Sequence, residues 1–378
     1  MNPRTTRRAV ARRTATALTG FSAALSLAAC GVINDVGASG SSSEPTKGDD
    51  LTVGLLLPDK DTARFEKFDY PIIKKEVSSL THGKGTVRYA NAEASKATQS
   101  RQFQEMIDDK VDVVLVDAVD AEAIAPDVQK AKDAGIPVIA YDRLAQGPID
   151  AYVSHDNELV GEVQGRAILD ALGSKAATSK IVMMNGDPAD PNTGRFKSGA
   201  LSELKGKVQI AEQYDTKEWK PEAAAANMKQ AIQAVGLSRI AAVYSANDGM
   251  AGAVIDTLKE AGATDIPPVT GQDANLDAVQ RIVAGQQYMS VYKSFLLEAT
   301  NAARMAVTKV QGHDIEFDAL TQEKVDSPTR KDIPSLLVPV VALTKANIKE
   351  TVIADGVYTV DDICTSAYAA DCAAIGLK

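Results

Sequence analysis

From residue 51 onward, short apolar runs alternate with amphipathic stretches at a regular interval. Leu51–Leu57 (LTVGLLL) reads as a strand, and the stretch to about Leu80 as a helix. Thr86–Ala90, Val111–Val116 and Ile136–Tyr141 repeat the strand pattern, with helices over Lys96–Lys110 and Ala121–Ala134 between them. Ile149–Ser154 is a further strand and Glu158–Leu172 a helix. A second series starts at Lys180–Met184 and adds strands over Val208–Gln213, Ile240–Tyr244 and Pro268–Thr270. Its helices fall over Gly194–Leu204, Pro221–Val235 and Gly249–Ala261. Gln287–Tyr292, the helix after Ser294 and a late strand over Val338–Leu343 complete the pattern. Val/Ile/Leu runs this short between helices this long predict βαβ units on parallel sheets. The fold class expected is α/β, with two doubly wound parallel-sheet lobes. Crossings between them are expected near Val153–Asn157, Tyr288–Ser294 and Asp318–Gln322. The first lobe then holds residues 51–153 and 293–318, and the second 154–292 and 319–345. Residues 346–378 remain as a tail.

Charge separates the start of the chain from the rest. The full chain has 378 residues and a formal net charge of −9. Residues 1–29 contain five Arg and no acid, so the remainder carries 36 basic against 50 acidic residues, a net of −14. A basic start followed by the small, apolar stretch Thr14–Ala29 predicts a signal peptide over 1–29. That stretch is too short and too rich in Ala and Thr to span a membrane, which takes about 20 apolar residues. It ends Leu27-Ala28-Ala29-Cys30-Gly31, which resembles a bacterial lipobox, the pattern in which the cysteine is acylated. The plain alternative is a non-lipidated signal with a chance cysteine. Arg7-Arg8 and Arg12-Arg13 lack the apolar signature of a twin-arginine route. The polar, Gly/Ser-rich stretch Gly37–Asp50 reads as part of a flexible tether over 30–50.

These segments predict an exported protein, lipid-anchored at Cys30 on the extracytoplasmic face of the cell membrane. Export permits disulfides, and with Cys30 acylated the even pair Cys364 and Cys372 is left to bridge. The acidic balance argues against a nucleic-acid footprint. Only three His are present, no two close in sequence, so no zinc or other metal site is expected. Neither common phosphate-binding glycine motif occurs, and no cofactor is expected.

Ligands of open parallel sheets bind beyond the C-terminal strand ends. Those ends here carry Asp59, Lys60, Asp61, Arg64 and Phe65, then Asp117, then Asp142-Arg143. The second half repeats the arrangement with Asn185 and Asp187, Asn247-Asp248 and Gln272-Asp273, and Lys293 ends the returning strand. Any one of these is explained equally by capping of the next helix, and Asp248 reads as such a cap. Their convergence on one edge of two sheets suits a small polyhydroxylated ligand, whose hydroxyls both donate and accept. Phe65 and Trp219 are the aromatic planes available for the C–H faces of a sugar, although core packing explains either as well.

Taken together, YDRL (Tyr141–Leu144), SHDNELVGEVQG (Ser154–Gly165), NGDPADPN (Asn185–Asn192), SANDGMAGAVI (Ser245–Ile255), GQDA (Gly271–Ala274) and SVYKSF (Ser290–Phe295) resemble the bacterial periplasmic sugar-binding proteins. The similarity is greatest to the xylose-binding branch of the ribose/galactose type and covers nearly all of residues 50–345. It implies the type I fold, two lobes on a three-segment hinge, closing over one monosaccharide for an ABC importer. It places ligand contacts on Arg64, Phe65, Asp142, Arg143, Asn192, Trp219, Asn247 and Asp273, with Lys293 at a hinge strand. It implies D-xylose or a related aldose as ligand, permease and ATPase subunits as partners, and a monomer. Phe65 stands where that branch often carries Trp, which leaves pentose selectivity open. The segment after Thr344 lies outside the shared part.

Three other classes compete. Glycoside hydrolysis by Asp142 and Asp273 would need a general acid, yet Arg143 and Lys293 favour ionised carboxylates at both. A sugar-responsive repressor would need an N-terminal helix-turn-helix where the signal peptide stands. A lipoprotein presenting sugar occupancy to a receptor kinase is the remaining alternative.

Overall fold

The computed structural model describes residues 47–62 and 64–377. The first five strands are β1 (Thr52–Leu57), β2 (Thr86–Asn91), β3 (Val113–Val116), β4 (Val138–Tyr141) and β5 (Ala151–His155). Between them lie α1 (Tyr70–Leu80), α2 (Lys96–Asp108) and α3 (Ala125–Asp133). The second series runs α4 (Asn157–Leu172), β6 (Lys180–Asn185), α5 (Pro191–Leu204), β7 (Gln209–Asp215), α6 (Pro221–Val235), β8 (Ile240–Ser245) and α7 (Asp248–Glu260). It continues through α8 (Leu276–Val283), β9 (Ser290–Lys293), α9 (Phe295–Gln311) and α10 (Asp314–Leu320). The last elements are β10 (Glu323–Val325), β11 (Ile333–Val338), β12 (Val340–Leu343), α11 (Val360–Ile363) and α12 (Ala369–Ala374).

The first sheet has the order β10-β11-β5-β4-β3-β1-β2, parallel throughout except at the edge strand β10. The strands are buried on both faces, Leu55, Leu57 and Val113 against α1 and α9, Leu56, Val114 and Val116 against α2 and α3. That two-sided burial is why they read as continuous apolar runs and not as alternating ones. The strand order reverses at β1, between β2 and β3, the switch point at which open sheets take ligands. The second sheet repeats this arrangement with β7-β6-β8. Single parallel bridges continue it from Val243 to Val269 and from Gln272 to Val291, and β9 then pairs antiparallel with β12.

Three segments join the lobes. β5 leads into α4, whose Val160 and Ile168 belong to the second core. β9 leads into α9, whose Ala299, Ala302 and Ala306 belong to the first. The third departs from expectation. The late strand predicted over Val338–Leu343 is two strands, with β11 parallel to β5 and β12 antiparallel to β9. Pro339 stands between them without an N–H to donate, and the chain changes sheet there. Residues 323–338 therefore belong to the first sheet and not to the second lobe, and the crossing lies at 338–340 and not near Asp318–Gln322.

Helices α4 and α5 pack backbone to backbone. A Cβ on Gly161 would lie 1.9 Å from the Phe196 carbonyl oxygen, and one on Gly199 1.9 Å from that of Glu158. This contact sets α5 against α4, with Asn192 in the first turn of α5 beside Asn157 at the start of α4. The tail packs Ile348, Val352, Ile363 and Cys372 against Val279 and Ile282 of α8, and a disulfide joins Cys364 to Cys372 with an S–S distance of 2.09 Å. Cys30 and the signal segment lie outside the described residues.

Candidate ligand-binding site

Beyond the strand ends, both lobes contribute to one cavity enclosing about 320 Å³. Arg64 and Phe65 reach it from a widened helical turn that precedes α1, and Asp142 and Arg143 from the loop after β4. Asn192 comes from the first turn of α5, Trp219 from the loop after β7, Asn247 from the end of β8, and Asp273 from the loop before α8. Lys293, the last residue of β9, completes the set. All nine residues on which the resemblance places ligand contacts thus line one space, whereas Asp59, Lys60, Asp61, Asp117, Asn185, Asp187 and Asp248 of the strand ends are not part of its lining. Thr62, Asp190, Phe196 and Gln272 line it too.

Two buried arginines organise the first-lobe side, each among three carboxylates. The Arg64 guanidinium is 1% exposed and donates to Asp69 at 2.8 Å, to Asp142 at 2.8 Å and to Glu298. Tyr141 accepts a longer bond at 3.3 Å, and the Phe295 ring lies 4.6 Å from the guanidinium carbon. Burial raises the Asp69 carboxyl to about 6 against the pull of Arg64. At Glu298 burial also opposes ionisation, but Arg64 and His155 outweigh it and hold the group at about 2. Arg143 pairs with Asp190 at 2.9 Å, Asp59 at 3.4 Å and Asp117 at 3.5 Å. Its Nε is close to Asp190 but not aligned for a hydrogen bond, so that contact is an ion pair only. Burial raises Asp190 to about 6 in spite of Arg143, and it also raises Asp117 well above the ordinary carboxylate value.

Direct bonds close the cleft. The Asn192 side chain donates to the Asp142 carboxylate at 3.0 Å and accepts from Asn157 at 2.8 Å, and Arg143 meets Asp190 across the gap. On the second-lobe side Lys293 pairs with Asp273 at 2.9 Å. Burial works against the Lys293 charge, but Asp273 and Asp142 raise its pKa nonetheless.

Local backbone geometry aims these groups. Asp142 has φ 55°, Asp273 φ 93° and Trp219 φ 57°, all in the left-handed region that costs a branched or bulky residue. Trp219 keeps that conformation because Gly186 lacks a Cβ, which would otherwise lie 2.0 Å from the indole. Its Nε1–H donates to Asp190 at 3.2 Å, and the ring stands edge-on to Phe196.

Other side chains hold the frame, and Asn247 does so while also lining the cavity. Asn247, not Asp248, caps α7, accepting from the Met250 N–H at 3.0 Å. Asp248 is fully buried and receives bonds from Gln287 at 2.7 Å and Ser290 at 2.8 Å, an arrangement that holds the Asp273 loop on β9. Asn185 donates to Asp215, and Asp187 accepts the Glu218 and Ala189 N–H groups. Asp190 lies in the NGDPADPN stretch, and its place before Pro191 marks it as a helix N-cap. That signal could have pointed to it.

The cavity wall leaves polar atoms without hydrogen-bond partners. Gln272 Oε1 is buried and accepts no hydrogen bond, and Asp273 Oδ1 is buried with the Lys293 ion pair as its charged contact. Such atoms are costly unless something polar meets them. Donors, acceptors and three aromatic rings around so small a space fit a compact ligand carrying several hydroxyls.

Residues 53–314 match the family described as the periplasmic binding protein domain. The chain is 34% identical over 313 residues to the D-xylose-binding periplasmic protein of Escherichia coli (strain K12), covering 81% of this chain and 91% of that one. It is 31% identical to the multiple sugar-binding periplasmic receptor ChvE of Rhizobium radiobacter, covering 82% and 92%. Among solved structures, a solute-binding protein of an ABC transporter from Clostridium phytofermentans with bound β-D-glucose matches with a TM-score of 0.74 and 27% identity, over 82% of this chain and 99% of that one. Among the described residues, no helix is long and apolar enough to cross a membrane.

Proposed function

The chain belongs to the periplasmic binding protein family, whose members bind solutes for transport, and from that premise we propose that it captures a monosaccharide, D-xylose or a related aldose, and delivers it to an ABC permease. The observation that carries this reading is the convergence of both lobes on one small cavity, where Gln272 Oε1 accepts no hydrogen bond and Asp273 Oδ1 has only the Lys293 ion pair. A sugar hydroxyl donates to such an acceptor while its own oxygen accepts from Arg64, Arg143, Asn192 or Lys293. Bonds of this kind to charged groups contribute roughly 1.5–3 kcal/mol each. Phe65, Phe196 and Trp219 take the apolar faces of the ring. The bound sugar touches both lobes, so it favours the closed state, and the permease reads that state. Nothing in this scheme transforms the ligand. Acylation of Cys30 tethers the protein to the outer face of the cell membrane.

Calorimetry of the protein against xylose, ribose, glucose, galactose and arabinose tests the reading. Heat with at least one aldose is expected, and no heat with any at millimolar concentration would refute it. A second reading, presentation of the occupied state to a sensor, draws on similarity to a relative described as a receptor. Crosslinking the liganded protein in intact membranes separates the two, by recovering either permease subunits or a kinase.

A further inference from the structure

A second cavity, enclosing about 560 Å³, lies beside the first and is also lined from both lobes. Arg143 and Trp219 line both cavities, so these two side chains form the partition between them. Pro58, Ala94 and Val119 of the first lobe and Ala189 of the second give the outer cavity an apolar lining. Asp59, Lys96, Asp187 and Lys217 add hydrogen-bonding groups. An apolar lining with polar groups beside it repeats the chemistry of the inner cavity, where C–H faces meet aliphatic or aromatic surface and hydroxyls meet ions.

Part of the wall is fixed by hydrogen bonds, although the Lys96 and Lys217 side chains are exposed. Asp187 is tied down by the Glu218 N–H at 2.7 Å and the Ala189 N–H at 2.9 Å. Lys96 is held by Asp120. The partition hangs on one carboxylate, because Asp190 receives the indole N–H and pairs with Arg143. The outer cavity holds more empty space than the inner one, about 560 against about 320 Å³, part of it open to solvent.

We infer that the outer cavity is a second sugar subsite, and that the protein accepts a disaccharide whose second ring lies there, with the glycosidic link passing between Arg143 and Trp219. This inference rests on the monosaccharide reading of the inner cavity and extends the ligand class to short, neutral oligosaccharides. The apolar lining makes it separable from the inner site. Val119 and Ala189 stand on opposite lobes, both half-buried, and neither lines the inner cavity. Replacing either with Trp fills the outer space from a position outside the inner lining.

The test is calorimetry of the full chain and of Val119→Trp and Ala189→Trp against D-xylose, xylobiose, D-glucose and cellobiose. Xylobiose or cellobiose is expected to bind the unaltered protein within tenfold of its monosaccharide. At least one filled variant is expected to lose the disaccharide by tenfold or more while the monosaccharide changes less than threefold. Retained monosaccharide binding shows that the variant is folded. Monosaccharide heat without disaccharide heat overturns the subsite and spares the inner-site reading. Disaccharide binding unaffected by both fillings, or loss of both sugars in both variants, overturns it as well. Absence of heat with all four sugars, and with the other aldoses named above, overturns the inner-site reading itself.

Discussion

Asp142 serves both lobes at once: one carboxylate oxygen takes Arg64 and the other takes Asn192. Its left-handed backbone, like that of Asp273, tolerates Asn better than Ala, so Asn is the cleaner replacement. Asp142→Asn and Asp273→Asn are each expected to weaken sugar binding by at least tenfold, about 1.4 kcal/mol, with little change in thermal stability. Unchanged affinity would remove these residues from the proposed site. Gly186→Ala is expected to lower affinity by displacing the Trp219 ring, because no rotamer relieves a 2.0 Å approach to a backbone-fixed Cβ. The buried carboxyls also give stability a pH dependence. Asp69 and Asp190 titrate at about 6 and Asp248 at about 7, all above the ordinary value of 3.8, chiefly through burial. A raised folded pKa stabilises below the unfolded value and loses that contribution as pH rises through the folded one. The ligand-free protein is therefore expected to melt at a higher temperature at pH 5 than at pH 8. Glu298, held at about 2, acts in the opposite sense, stabilising above the ordinary carboxylate range and losing that contribution as pH falls toward 2. Melting curves across pH 4–8 check the balance.

At the scale of elements, the parallel strands were legible because burial on both faces writes them as unbroken Val/Ile/Leu runs. Of the cavity-lining residues, Asp142, Arg143, Asn247, Gln272, Asp273 and Lys293 followed from positions at strand ends, whereas Asn192 came only from the family resemblance. What was hidden lay in helices and in the return path. Glu298 sits in the first turn of α9, where an acid is ordinary for a helix N-terminus, and only the fold brings Arg64 onto it. Asp69 belongs to a widened turn that no helical period announces. β10 and β11 are broken by polar residues and Pro334, and the split at Pro339 follows from pairing partners far away in sequence. The tail was read as bridged from cysteine number alone, whereas its packing on α8 needed the fold. Closing so short a loop contributes about 2–3 kcal/mol on a chain-entropy basis. Cys372→Ser is expected to speed hydrogen exchange in residues 346–377 and in α8, and to leave the amides of β1, β3 and β4 protected. Uniform loss of protection would mean that the tail unfolds with the whole protein.

For the whole molecule, the contacts Asp142–Asn192 and Arg143–Asp190 are the ones that separation of the lobes must break. Asn192→Ala is expected to enlarge the radius of gyration of the sugar-free protein in small-angle scattering, with saturating sugar restoring part of the compaction. An unchanged radius in both conditions would argue against lobe motion. The partition residue has a further consequence. Trp219 is the chain's one tryptophan, and it borders both cavities. Every photon of indole emission therefore originates at the junction of the two spaces. Without any label, the colour and lifetime of that emission can report filling of the inner space, of the outer space, or of both, so the molecule is an optical gauge of its own occupancy.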